Sequence, residues 1–213
     1  VTDPTAPKGK GISCFIVEAG TPGMTVGKTE DKMGQKASPT NEIHFENCRI
    51  PASALMGEEN KGFAVAMGEL AGGRIGIGSL ALGVGLAAMD YAKAYMVERK
   101  QFGRAIADFQ GLQWKLAERY TELEAARLLL MQAAYTKEQG LPFGMQASMA
   151  KLFATEKANI ACYDALQLMG GAGYIKEYPL ERMARDVRVT SIYEGTSEIQ
   201  KVIIARDLLK EMS

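Results

Sequence analysis

The side chain best suited to chemistry in this 213-residue sequence lies in Ser191-Ile-Tyr-Glu-Gly-Thr-Ser-Glu-Ile-Gln200. Glu194 is flanked by Ile192 and Tyr193 on one side and by Gly195 on the other. A carboxylate in an apolar pocket is a stronger base than one in water, because desolvation disfavours its charged form. Such a base suits removal of a proton from a weak carbon acid. Thr196 and Ser197, at the start of a helix, offer backbone N–H groups to an anion or a carbonyl oxygen. The same residues have a plainer reading: an acidic side chain near a helix N-terminus, with Ser197 and Gln200 at capping-box spacing. On the segment alone the plainer reading prevails.

Two further segments could hold a ligand. In Glu98-Arg-Lys-Gln-Phe-Gly-Arg104 a helix ends in basic residues followed by an aromatic and a glycine. This is either a C-terminal cap favoured by the helix dipole or an anion clamp, since arginine presents a planar fork to phosphate oxygens. Gln167-Leu-Met-Gly-Gly-Ala-Gly-Tyr174 closes a helix with three glycines where one suffices for a C-cap. The surplus fits a backbone that something approaches closely, with the Gln167 amide beside it, and it also fits an ordinary loop. Two other patterns carry little. Gly76-Ile-Gly-Ser-Leu-Ala81 has dinucleotide-fingerprint spacing but lies inside an apolar helical run with no strand before it. His44 and Cys48, four apart on a strand, are separated by about 13 Å, too far for a nucleophile–base pair.

The elements that must position these residues fall into two stretches. Five of the seven prolines lie at or before Pro51. Gly11–Glu18 is a mostly apolar, β-branched run, and Asn41–Cys48 alternates weakly; turn residues occupy Gly20–Gly23 and Gly34–Pro39. Residues 1–55 read as a short antiparallel β segment with too few strands for a sheet of its own. From Asn60 the period is helical. Helices are expected over Gly62–Arg99, Ala107–Glu138, Gln146–Met169, a short stretch after Pro179, and Ser197–Glu211. In the second, Leu112, Leu116, Leu123, Leu130 and Ala134 mark the apolar face. The fold class is mainly α: an antiparallel helix bundle over 56–213, preceded over 1–55 by a few strands.

Composition removes several classes. With 25 basic and 25 acidic side chains the formal net charge is zero, which argues against nucleic-acid binding. Three cysteines (Cys14, Cys48, Cys162) make no disulfide framework, so an intracellular compartment is expected. One histidine and no C-x-x-C pair leave no basis for a metal site. No signal-peptide pattern is visible. The longest apolar stretch, Ile75–Met89, is shorter than the roughly 20 residues that span a bilayer, so no integral membrane segment is expected.

Taken in order, the segments resemble the acyl-CoA dehydrogenases. The resemblance is carried by Gly72-Gly-Arg-Ile-Gly-Ile-Gly78, Glu98–Gly103, Phe109-Gln110, Gln167–Tyr174 and Ile192–Gln200, and covers nearly the whole chain. Lys32-Met-Gly and Asn41–Pro51 look like the last strands of the family's central β domain, which lead into its C-terminal bundle. An N-terminal helical domain and most of the β domain would then precede this sequence.

The resemblance implies FAD-dependent α,β-dehydrogenation of an acyl-CoA thioester to the trans-2-enoyl-CoA, as in fatty-acid β-oxidation. Glu194 would be the base that takes the α proton, while the β hydrogen leaves as hydride to the flavin. Its backbone N–H would be one donor to the thioester oxygen. Ala71, Gly72, Gly73, Arg74 and Gly195 would face the substrate. Thr196, Ser197 and Glu198 would touch FAD. Arg99, Phe102 and Gln110, with Gln167, Leu168, Met169, Gly170 and Gly171, would hold the FAD of a neighbouring subunit. Some branches carry the base at the position of Gly73, which leaves Glu194 as the candidate here. Some short-chain members have an acidic residue at the position of Ala71, and its absence weighs against a short-chain substrate. The family further implies a homotetramer, an electron-transfer flavoprotein as acceptor, and a bacterial cytoplasmic or mitochondrial matrix location. The chain by itself would be inactive, lacking the β-domain loops that hold the flavin ring. The rival readings are an oxidase using oxygen and a non-catalytic helical oligomerisation module.

Overall fold

The structure, a computed structural model, describes residues 1–210. The chain divides into two compact units, Val1–Leu70 and the remainder from Ala71 onward.

The first unit holds two separate antiparallel ladders. Strand β1 (Cys14–Phe15) pairs with β4 (Leu55–Met56). Strand β2 (Met24–Thr29) pairs with β3 (Asn41–Phe45) in a register that sets Thr25 opposite His44 and Val26 opposite Ile43, with an irregularity between Val26 and Thr29. The run Gly11–Glu18 thus yields only a two-residue strand, and β2 is a strand that its modest apolar content did not announce. Val26, Ile43 and Phe45 are exposed in this two-stranded ribbon. His44 is a surface imidazole beside Glu42. The unit ends in the first turns of α1 (Gly62–Glu98), where the Gly62 N–H donates to the Ile12 carbonyl at 2.7 Å.

From Ala71 the chain is helical. The rest of α1 is followed by a tight hairpin, β5 (Lys100–Gln101) and β6 (Arg104–Ala105). Then come α2 (Gln110–Glu138), α3 (Gly144–Met169), the single turn α4 (Gly171–Tyr174), α5 (Leu180–Arg188) and α6 (Ser197–Lys210). Glu211, the expected end of the last helix, lies outside the described residues. A 3₁₀ turn, Ile106–Asp108, takes the place of the expected first turn of α2, which starts only after Phe109.

Helix α3 is central and packs against α2, α5 and α6. Ala147, Ala150, Ala154, Ala158, Ala161 and Ala165 are all buried on it, an alanine stripe at three- and four-residue spacing that lets neighbouring helices approach closely. On α1, Gly78 and Gly85 serve the same end. A Cβ at Gly78 would stand 2.6 Å from Leu130, and one at Gly85 would stand 3.1 Å from Leu123 and 3.2 Å from Ala158. This explains the glycine spacing in that helix without a dinucleotide. Leu123 and Leu130 are buried as expected; Ala134 is exposed, and Ala126 and Ala133 take its place in the core. Between α2 and α3, Asp164 takes Lys115 at 2.6 Å and Arg119 at 3.6 Å, and Lys157 reaches Glu122 at 2.6 Å.

By length and composition α1 is apolar enough to cross a bilayer, with a mean hydropathy of 1.5 over an 18-residue window. The uncharged run Ile75–Met89 is only part of this helix, which continues past Arg74 and Asp90, and the core helix of a soluble protein passes the same test. In the bundle this helix buries Ala81, Leu82, Ala88, Met89, Ala92 and Met96 in the common core.

Candidate active site

Between a short 3₁₀ turn (Val189–Ser191) and α6 the chain makes a tight corner at Glu194 and Gly195. Both have left-handed backbone angles, φ +55° and +89°. For glycine this is free of strain; for Glu194 it costs about 1–2 kcal/mol. Three hydrogen bonds hold the corner. Gln200 Nε2 donates to the Glu194 carbonyl at 3.2 Å and to the Gly195 carbonyl at 2.9 Å, and Lys151 Nζ donates to the Gly195 carbonyl at 2.8 Å.

The expected capping box is not formed. The Ile199 N–H turns to the Thr196 hydroxyl, the Ser197 hydroxyl reaches Glu156 on α3, and the Gln200 side chain is spent on the corner. Ser197 is the first helical residue, so the cap falls one position earlier.

The corner aims the Glu194 carboxylate at α1. A Cβ at Gly73 would stand 2.7 Å from Glu194 Oε2, so glycine is what leaves room for it. That oxygen is buried and makes no hydrogen bond. Two more buried orphans lie in the same cluster, Arg74 Nε and Gln200 Oε1; the remaining ones among the described residues, on Arg119 and Glu122, sit within the α2–α3 ion-pair network. Buried polar atoms without partners are rare in folded proteins, and a group of them around one carboxylate marks a place where a ligand supplies the missing bonds.

The electrostatics are more polar than the flanking Ile192 and Tyr193 implied. Burial holds the Arg74 guanidinium below its ordinary value, against the opposing pull of Glu194, and Arg206 adds to the lowering. Arg74 Nη1 also reaches the buried Ser148 hydroxyl at 3.5 Å. Burial likewise lowers Lys151, opposed by Glu156, Glu194 and Glu198. At the start of α6, its own backbone N–H and the Thr196 hydroxyl hold the exposed Glu198 carboxyl below the usual range. Ala71, Gly72, Gly73 and Arg74 are all half-buried on α1.

The ligand-holding candidates sort into two grooves. Thr196, Ser197 and Glu198 line one of about 560 Å³, with Arg188, Asn159 and Tyr163. Arg99, Phe102 and Gln167 to Gly171 line another of about 740 Å³. So the two sets of expected flavin contacts are not brought to one groove within a single chain. Gln110 does not line the second groove; its neighbour Phe109 does, together with Tyr95, Gln101 and Tyr178.

The second groove has features that internal packing does not explain. Phe102 is 93 % exposed and stands at φ +53° in the hairpin turn, where a bulky residue is strained. Its ring meets Phe109 edge-on at 6.2 Å, and Arg104 covers Phe109 at 4.2 Å. Nothing lies within 4 Å of a Cβ at Gly171, and its φ is not left-handed. An open glycine of this kind leaves its backbone free for something outside the chain. A cation, an exposed aromatic, an amide and bare backbone together fit an elongated ligand carrying phosphate and a flat ring.

Sequence reasoning singled out Glu194 and most of the residues that line the grooves, took Gln200 for a cap, and passed over Lys151 and Ser148. Lys151 and Ser148 are fully buried on α3, an unusual place for such side chains, but which face of α3 is covered is decided by the helices packed on it and not by its own sequence.

The model for the acyl-CoA dehydrogenase C-terminal domain matches residues 60–209, and that for the middle domain of the same enzymes matches 1–48. An acryloyl-CoA reductase (NADH) of Anaerotignum propionicum is 52 % identical over 201 residues, which is 94 % of this chain and 51 % of that protein. The mitochondrial short-chain specific acyl-CoA dehydrogenase of Bos taurus is 50 % identical over 201 residues, 94 % of this chain and 49 % of that protein. The solved structure of butyryl-CoA dehydrogenase from Megasphaera elsdenii superimposes with a TM-score of 0.93 at 45 % identity, covering 94 % of this chain and 52 % of that one. The chain spans about half the length of the relatives it matches.

Proposed function

This chain belongs to the acyl-CoA dehydrogenase family, and we propose that it is the part of an FAD-dependent acyl-CoA dehydrogenase that carries the catalytic base. The observation behind this is the buried, unpartnered Glu194 Oε2, held by a strained corner opposite a glycine. A base that must meet a carbon-bound proton keeps an oxygen free of hydrogen bonds until substrate arrives.

In this reading the acyl chain lies along α1 at Ala71 to Arg74, with its α carbon at Glu194 Oε2. Gly73 and Gly195 leave space for it, and the Glu194 N–H donates to the thioester oxygen as charge develops there. The proton ends on the Glu194 carboxylate. FAD, when bound, supplies the acceptor for the β hydride. Thr196, Ser197 and Glu198 would hold the flavin of the same active site. Arg99, Phe102 and Gln167 to Gly171 would hold the phosphate and adenosine part belonging to a second copy, which is why the two grooves are separate. That arrangement requires at least a dimer, and a homotetramer is the proposed state. Gln110 keeps its proposed role through its position beside the groove-lining Phe109.

A short acyl chain is the proposed substrate: the relatives' names outweigh the missing acid at Ala71. An electron-transfer flavoprotein is the proposed acceptor, and the proposed location is bacterial cytoplasm or mitochondrial matrix. We place the domain boundary near residue 55. The name of the acryloyl-CoA reductase favours a second reading, the same chemistry run toward saturation, with protonated Glu194 returning the α proton. Glu194→Gln in the flavin-loaded full-length protein tests both. Loss of flavin reduction by acyl-CoA by about 10²–10⁴-fold, with flavin retained, is expected; full activity would rule out the base.

A further inference from the structure

Resting on that reading of Glu194, we propose that Lys151 is a positioning residue: its ammonium grips the Gly195 carbonyl and thereby fixes the Glu194–Gly195 corner, and with it the carboxylate, against α1.

Lys151 is fully buried, which is rare for lysine. Its hydrogen bond among the described residues goes not to a carboxylate but to a backbone carbonyl, Gly195, at 2.8 Å. An apolar side chain of similar volume would fill the same space without desolvating a charge. What the ammonium adds is a charge-assisted bond to one peptide. That carbonyl belongs to Gly195, the residue following the base.

The frame of reference matters. Gln200 also holds the corner, through the Glu194 and Gly195 carbonyls, but it belongs to α6, the helix the corner leads into. Lys151 belongs to α3, the centre of the bundle. Its Cα stands 3.5 Å from where a Cβ on Gly78 of α1 would be, so one end of this residue lies against the helix that carries Gly73 and Arg74. The other end reaches the corner. Lys151 therefore ties the base to the helix it must face. The hydrogen bond from Ser197 to Glu156 joins α6 to α3 as well, but three residues beyond the base and without touching the corner's carbonyls. The charged groups around the ammonium are Arg74 from α1, Glu156 from α3, Glu194 from the corner and Glu198 from α6.

The test uses the flavin-loaded full-length protein with Lys151→Met, Lys151→Gln, Glu194→Gln and the Lys151→Met/Glu194→Gln double variant. Anaerobic flavin reduction by a short acyl-CoA, acyl-CoA affinity, flavin per chain and thermal melting are measured for each. Lys151→Met is expected to slow reduction by about 10- to 100-fold, the scale of a misplaced reacting group, with affinity and flavin content within about twofold. Lys151→Gln, which keeps an N–H donor, should recover part of the rate. In the Glu194→Gln background Lys151→Met should add no further loss, because its effect runs through Glu194. Three results would overturn the proposal: a wild-type reduction rate in Lys151→Met, a multiplicative loss in the double variant, or lower melting and flavin content with an unchanged rate per bound flavin. If neither single Lys151 variant folds, its role is stability and the proposal fails too. Full activity in Glu194→Gln would instead remove the base assignment underneath, a separate and recognisable outcome.

Discussion

Gly73→Ala separates the stability of the fold from the placement of the base. An added Cβ would lie 2.7 Å from Glu194 Oε2 and 3.1 Å from its Cδ, where ordinary contact begins at 3.4 Å. The carboxylate is the free end of a side chain, so it can retreat, and about 0.7 Å suffices to restore contact distance. The fold should therefore not suffer. Alanine inside a helix is worth about 1 kcal/mol more than glycine, a gain of about 2–4 °C in melting temperature for a chain of this size. Chemistry should suffer, since a displacement of about 1 Å at a reacting group can remove 10²-fold in rate. A reduction of roughly tenfold or more in the rate of anaerobic flavin bleaching is expected, with flavin still bound. Gly83→Ala on the same helix is the control. Nothing lies within 4 Å of its Cβ position, so it should raise stability and leave the rate alone. A Gly73→Ala enzyme that melts higher and reduces flavin at the wild-type rate would refute the placement of Glu194 against α1.

Two further outcomes follow from other parts of the molecule. Arg99→Ala should weaken flavin retention by about 10- to 100-fold, the value of one hydrogen bond to a charged group, leaving the helical content by circular dichroism unchanged; undiminished flavin per chain after gel filtration would remove Arg99 from the clamp. Burial pushes the Cys162 thiol up to about 12. The neutral thiol is thus the form the fold favours, a stability contribution present below the ordinary value of 9.0 and lost as pH rises toward 12. At pH 8 an alkylating reagent should label the half-buried Cys14 and Cys48 and spare Cys162 until the protein is unfolded.

The helices were legible in the sequence because their signals are local. Gly140 and Pro142 stop α2, Gly170 closes α3 at φ +58°, and an apolar period runs between. The strands were less so: β1 is a two-residue remnant of an eight-residue apolar run, because pairing needs a partner and β4 offers only Leu55–Met56. Glu194 stood out by residue type and by its neighbours. Only the tertiary structure decided what surrounds it. The glycine that makes room for it lies 121 positions earlier in the chain. The lysine that holds its corner is on a third helix, fully buried in a stretch of α3 whose other buried residues are mostly alanines. The box Ser197–Gln200 was there to be read, but its side chains went elsewhere, since Glu156 and the corner's carbonyls compete for them at closer range. Local free energies of about 1 kcal/mol set the helices; contacts between residues far apart in sequence, each able to outweigh such a preference, set the site.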